Sequence, residues 1–126
     1  MTPRLRLAGL VLGTDDVPAL AAFYQRLLGW DQGADEPDWA TLRNPDGGPG
    51  LSFQTEVDHV RPVWPASPGE PLMMAHLDIE VDDLATAGAH AEAAGAVLAE
   101  FQPQDDVRVF YDPDGHSFCL YAHGDG

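Results

Sequence analysis

Five histidines, one cysteine and 21 acidic residues are the groups in this 126-residue chain able to move protons, attack electrophiles or hold metal ions. The most suggestive spacing is His76-Leu77-Asp78-Ile79-Glu80-Val81. In an extended strand successive side chains alternate faces, so His76, Asp78 and Glu80 share one face and Leu77, Ile79 and Val81 the other. An imidazole is suited at neutral pH to general base work, metal ligation or hydrogen bonding to a ligand, and it also serves as a satisfied structural group. Asp78 is placed to orient His76 as an acid–base pair requires, or to stand as a solvated carboxylate. The same parity puts Cys119 with Ser117 and Tyr121, and Ser52 with Gln54, while Phe53, Phe118 and Leu120 turn to the core. Cys119 is a nucleophile if a neighbouring histidine lowers its pKa, and otherwise a small buried hydrophobe. Trp64 stands next to Pro65 in a proline-rich stretch. With His59 and Arg61 it forms a lid or wall for an aromatic ligand, or it pins the stretch to the sheet. Trp30 is expected in the core, Trp39 on either face, His116 exposed in a turn, and His123 in a disordered tail.

The charge restricts the partners. Six arginines and no lysine face 21 acidic residues, a formal net charge of −15. Nucleic acid and anionic lipid both need a basic footprint, so neither is an expected partner; a cationic small molecule is compatible with the field. The same charge also serves solubility. With a single cysteine there is no intrachain disulfide and no multi-thiolate structural zinc site, and a cytoplasmic location is expected. No apolar run reaches membrane-spanning length. Arg4 and Arg6 before Leu7-Ala8-Gly9-Leu10-Val11-Leu12 imitate a signal peptide, but Asp15 and Asp16 cut the apolar run short.

The elements that position these groups come twice. Leu10 to Val17 and Leu77 to Leu84 are each a short alternating strand ending in an Asp pair, which reads as a helix N-cap. Pro18 falls in a first helical turn, where its missing N–H is harmless. A helix is expected over 17–28, stopped by Gly29, with Leu20, Phe23, Tyr24, Leu27 and Leu28 as its buried stripe. A second, alanine-rich helix is expected over about 83–94, stopped by Gly95. Asn44-Pro45-Asp46-Gly47 and Asp112-Pro113-Asp114-Gly115 are matching turns, each leading into a short apolar strand, 51–55 and 117–121. Further strands are expected over 30–32, 38–43, 96–101 and 107–111. The organisation is β-α-β-β-β, twice: module one at about 4–55, a linker at 56–71, and module two at about 72–122, in a single domain of 1–126. Pro62, Pro65, Pro68 and Pro71 recur every third residue, so the linker is expected to be an extended, stiff polyproline II segment.

Two βαβββ units with Asp-capped helices, Phe23-Tyr24 before Leu28-Gly29-Trp30, and a closing Asp112-Pro113-Asp114-Gly115 resemble the vicinal-oxygen-chelate superfamily of glyoxalases, bleomycin-resistance proteins and dioxygenases. Arg61-Pro62-Val63-Trp64-Pro65 followed by His76-Leu77-Asp78 is similar to its glyoxalase-like branch. The resemblance implies an α+β fold: two tandem modules forming a curled mixed sheet around a cavity, with helices outside. It also implies four metal-ligand positions, from the first and last strands of each module, which fall at Gly9, Ser52, His76 and Cys119. Gly9 has no donor and Ser52 is a poor one, so no tightly bound metal is expected; the alternative is one divalent metal near His76. The resulting reading is a binding protein that sequesters a small aromatic or cationic molecule, as a homodimer by analogy. The alternatives are a metal-dependent glyoxalase, lyase or dioxygenase, and a metal-free acid–base enzyme using His76 with Asp78 or Cys119. The residues carrying the ligand would be Ser52, Gln54, His59, Arg61, Trp64, Cys119 and Tyr121.

Overall fold

The computed structural model describes residues 3–122, so the expected disorder of His123 and the tail lies outside the described residues. Strand β1 (Gly9–Thr14) leads into helix α1 (Val17–Leu28), followed by β2 (Gln32–Glu36), β3 (Trp39–Leu42) and β4 (Gly50–Thr55). The second pass gives β5 (Leu77–Val81), α2 (Leu84–Ala94), β6 (Val97–Leu98), β7 (Val107–Tyr111) and β8 (Ser117–Ala122). Each pass forms a four-stranded mixed sheet, ordered β1-β4-β3-β2 and β5-β8-β7-β6. The fold is therefore α+β with a duplicated βαβββ module. The chain divides into two compact units, Met1–His59 and Val60–Gly126.

Both helices begin as their residue types require. The Asp16 carboxylate accepts the Ala19 N–H at 3.1 Å, and the Asp83 carboxylate accepts the Thr86 N–H at 2.9 Å, so each satisfies an amide that has no partner within its helix. The Thr86 hydroxyl also donates to Asp83; these side-chain and backbone bonds hold the Asp83 carboxyl below its ordinary value. Gly29 ends α1 in the left-handed region at φ 70, where a side chain would be strained.

In the first unit α1 buries Leu20, Phe23 and Tyr24, while Leu27 and Leu28 are only half-buried. Tyr24 stacks on Phe53 of β4, with ring centroids 5.7 Å apart. In the second unit the rings of Phe110 and Phe118 stack at 5.6 Å. The alanine-rich α2 lies close to this pair: a Cβ added at Gly88 would stand 3.6 Å from Phe110 Cζ. Phe53, Phe118 and Leu120 are all in the core, as their strand parity requires.

Five expectations need correction. The first is the strand expected over 30–32. It forms instead at Gln32–Glu36, where β3 supplies partners, Gln32 opposite Leu42 and Glu36 opposite Trp39, and the Asp31 carbonyl accepts the Arg43 N–H at 3.0 Å just before it. The second is the strand expected over 96–101, which is reduced to Val97–Leu98. Beyond it the Gln102 amide takes the place of strand backbone: Nε2 donates to the Ala99 and Val109 carbonyls at 2.9 and 3.0 Å, and Oε1 accepts the Val109 N–H at 3.0 Å. The third concerns the linker, which is not an extended rod. Val63 N–H donates to the Pro71 carbonyl at 2.8 Å and Val63 forms a parallel bridge to Leu72, so the segment loops round through a turn at Ser67–Glu70. Ser67 N–H donates to Glu70 Oε1 at 2.7 Å, and Gly69 supplies the φ of 88 that the reversal needs. The fourth is His116, which is not exposed. Its Nδ1 lies 2.8 Å from Oδ2 of the buried Asp112, whose Oδ1 also accepts the backbone N–H groups of Asp114 and His116. His116 is thus part of the scaffold of the last turn. Trp30, expected in the core, is half-buried.

Replacing Asp16 by Ala removes the α1 cap and is expected to lower stability by about 1 kcal/mol, read as a reduced urea midpoint with an unchanged slope.

Candidate functional site

The second unit carries a pocket of about 340 Å³, within the range of small-molecule sites. Its floor follows from sheet register. Parallel pairing sets Asp78 opposite Cys119, and antiparallel pairing sets Cys119 opposite Val109 and Tyr121 opposite Val107. Since neighbours across a ladder share a face, these five side chains come to one surface of the sheet. Phe118 and Leu120 go to the other surface, so β8 is buried on both sides.

The wall comes from the looped linker. The Trp64 ring stacks on His76, with centroids 5.1 Å apart and planes 18° from parallel, and meets Phe101 edge-on at 5.3 Å. Trp64 also packs on the small cluster of Ala99, Val109 and Cys119. Tyr111 holds the segment by donating its hydroxyl proton to the Trp64 carbonyl at 3.3 Å. Arg61 donates from its guanidinium to the Pro113 carbonyl, and its side chain fills the space beside Gly115, where a Cβ would stand 2.8 Å from Arg61 Cγ.

His76 Nδ1 lies 3.1 Å from Asp78 Oδ1, which fixes the plane of the imidazole. Cys119 is close to both: one donor atom from each of the three residues falls within 4.8 Å of the others. Cys119 is 3% exposed. Burial, with a smaller contribution from the Asp78 carboxylate, pushes its thiol up to about 11. The neighbouring histidine does not activate it as a nucleophile, because the carboxylate and the apolar surroundings both disfavour a thiolate.

Of the residues singled out in the sequence, Trp64, His76, Asp78, Cys119 and Tyr121 line this pocket. Arg61 does not line it and acts on the linker instead. Ser52 lines a separate pocket of about 310 Å³ in the first unit, beside Arg6 and Arg43. Gln54 is exposed at the end of β4, and His59 belongs to the first unit, with its N–H donating to the Glu56 carbonyl at 3.1 Å. Neither lines the Trp64 pocket. Sequence reasoning missed Val107, Val109, Gln104 and Asp106. The alternation in Val107-Arg108-Val109 would have revealed the first pair, but the other two sit in a loop with no periodicity to read. Among the described residues no arginine lines the pocket, whereas Asp78 and Asp106 do, with His76 as its one imidazole.

The four metal positions implied by the resemblance do not make a set. Gly9 contributes no donor, and a Cβ placed there would already stand 3.3 Å from the Gly50 carbonyl oxygen. Among the described residues no helix is long and apolar enough to cross a membrane.

Comparison with known proteins agrees with this architecture. The family model described as a glyoxalase-like domain matches residues 9–121. None of the curated proteins matches the chain by sequence. Among solved structures, a glyoxalase/bleomycin resistance protein/dioxygenase family enzyme from Burkholderia phytofirmans is similar with a TM-score of 0.71 at 20% identity, over 94% of this chain and 98% of that one. A glyoxalase-related enzyme from Fulvimarina pelagi gives 0.68 at 22% identity, over 94% and 88%. A glyoxalase/bleomycin resistance protein/dioxygenase from Nocardioides gives 0.65 at 24% identity, over 100% and 88%.

Thiol reactivity tests the site's electrostatics. In chelator, alkylation of Cys119 by iodoacetamide should be slow at neutral pH and rise about tenfold per pH unit toward pH 11, since the thiolate fraction grows by that factor below the pKa. A rate that levels off near pH 8 would contradict the burial and carboxylate effects.

Proposed function

The chain belongs to the glyoxalase-like domain family of the vicinal-oxygen-chelate superfamily, and from that premise we propose that it is a binding protein for a small aromatic cation. The observation that carries this reading is the composition of the Trp64 pocket. A tryptophan already stacked on a planar ring supplies a π face, two carboxylates supply negative charge, and no arginine lines the site to oppose a cation. A cation over an indole gains about 0.5–2 kcal/mol, more as water is excluded. The chain's net charge of −15 adds long-range attraction of the same sign. Sequestration needs no resident metal, in keeping with the missing donor at Gly9. The reading includes a homodimer and a cytoplasmic location. Exposed Leu5, Leu7 and Val11 offer apolar surface for pairing of two copies.

A second reading rests on the His76–Asp78 contact. A carboxylate on Nδ1 orients the imidazole so that Nε2 can accept a proton, which is the arrangement an acid–base enzyme uses. It predicts turnover that is lost in His76→Gln, whereas sequestration predicts binding alone.

Calorimetric titration in chelator with N-methylquinolinium, neutral quinoline and quinoline-2-carboxylate separates the charge preferences. The cation should bind at least tenfold more tightly than the carboxylate. Trp64→Leu and Asp78→Asn should each weaken the cation by about tenfold, corresponding to the loss of one cation–π or one charge contact. Equal affinity for the anion, or unchanged binding in both variants, would refute the reading.

A further inference from the structure

Gly9 leaves the superfamily's four metal positions incomplete in this chain, yet the second unit brings three different donors together. We infer that His76, Asp78 and Cys119 form a site for a thiophilic divalent ion of the zinc class, built wholly within the second module. Two of the donors stand at family positions. Asp78 does not: it lies two residues further along β5 and enters because the β5–β8 register sets it opposite Cys119.

The geometry is close to what such an ion needs. Donors at about 2.0–2.3 Å from a tetrahedral zinc stand roughly 3.3–3.8 Å apart. Here the imidazole, carboxylate and thiol donors all lie within 4.8 Å of one another, with the nitrogen and oxygen already 3.1 Å apart. The His76 ring is held against Trp64 and Cys119 is held by the sheet, while the exposed Asp78 side chain is able to adjust.

The donor chemistry selects the ion. A nitrogen, oxygen and sulfur set suits zinc, cobalt or cadmium, whereas magnesium and manganese prefer all-oxygen sites. On binding, the Cys119 S–H bond breaks, its proton passes to solvent, and the sulfur forms the bond to the ion. No electrons are transferred. With three protein ligands the ion keeps a fourth position for water or a ligand atom. The bound cation also offsets the unfavourable approach of Asp78 to Cys119, since both then face positive charge.

This inference goes beyond the aromatic-cation reading and is tested without any organic ligand, so either can fail alone. Metal-free protein is titrated with cobalt(II) and followed by absorption. The expected result is a thiolate-to-cobalt charge-transfer band that saturates stoichiometrically and is displaced by zinc(II) or cadmium(II) but not by excess magnesium(II) or manganese(II). Cys119→Ser should abolish the band. Asp78→Asn, an exposed and structurally mild change, should weaken cobalt binding at least tenfold while circular dichroism stays unchanged. Absence of the band in the unaltered protein, or full affinity in Asp78→Asn, would overturn the site. So would an equal loss in Ser52→Ala, because the ion would then be using the family's first-module position.

Discussion

Parallel pairing between the first and last strands of each module is the constraint on which the rest depends. In the second unit it aligns Leu77 with Phe118 and Asp78 with Cys119, so one register assigns both the core face and the pocket face. A slip of one residue would carry Phe118 into the pocket and Cys119 under the helix, and the stacked Phe110–Phe118 pair opposes it. The small side chains of α2 belong to the same arrangement. They let the helix backbone approach Phe110 closely, which keeps the central strand buried on both faces despite the module's limited apolar volume.

The two modules share topology but have diverged in chemistry. The first unit's pocket is lined by Ser52 with Arg6 and Arg43, and the second's by Trp64 with His76, Asp78 and Asp106. Six arginines serve the whole chain, so where they are placed largely determines local sign. Two of them lie at the first pocket, and Arg61 is occupied in holding the linker. The second pocket therefore carries two carboxylates and no arginine, and burial together with the Asp78 carboxylate keeps Cys119 a thiol at neutral pH unless a cation arrives.

Trp64 connects the linker to this chemistry. Its place depends on several modest interactions acting together: the Val63–Pro71 hydrogen bond, the Tyr111 hydroxyl, the Arg61 contact and the packing on Ala99, Val109 and Cys119. None of these joins residues that are neighbours in sequence, apart from the turn itself. The apolar face of the indole is covered on one side by His76 and edge-on by Phe101, so the aromatic wall is ordered before any ligand binds.

By itself, the sequence determined what short-range physics controls. Helix α1 was legible to its ends, because a capping Asp, an early Pro, an apolar stripe and a left-handed Gly act within a few residues of one another. Alternation likewise assigned Phe53, Phe118 and Leu120 to the core and placed Asp78 and Cys119 on polar faces. The duplicated pattern made the fold readable as two modules, and that reading agrees with the structure and the family match. Only the tertiary structure decided what depends on partners distant in sequence. The polar strand Gln32–Glu36 exists because β3 pairs with it. The strand before Gln102 is short because a side-chain amide replaces its backbone. The proline period did not extend the linker, because hydrogen bonds and the docking of Trp64 outweigh a weak local preference. The site followed the same division: parity put His76 with Asp78 and Cys119 with Tyr121 one strand at a time, but placing Asp78 beside Cys119 required the register between strands 41 positions apart, and periodicity within a single strand carries no information about register.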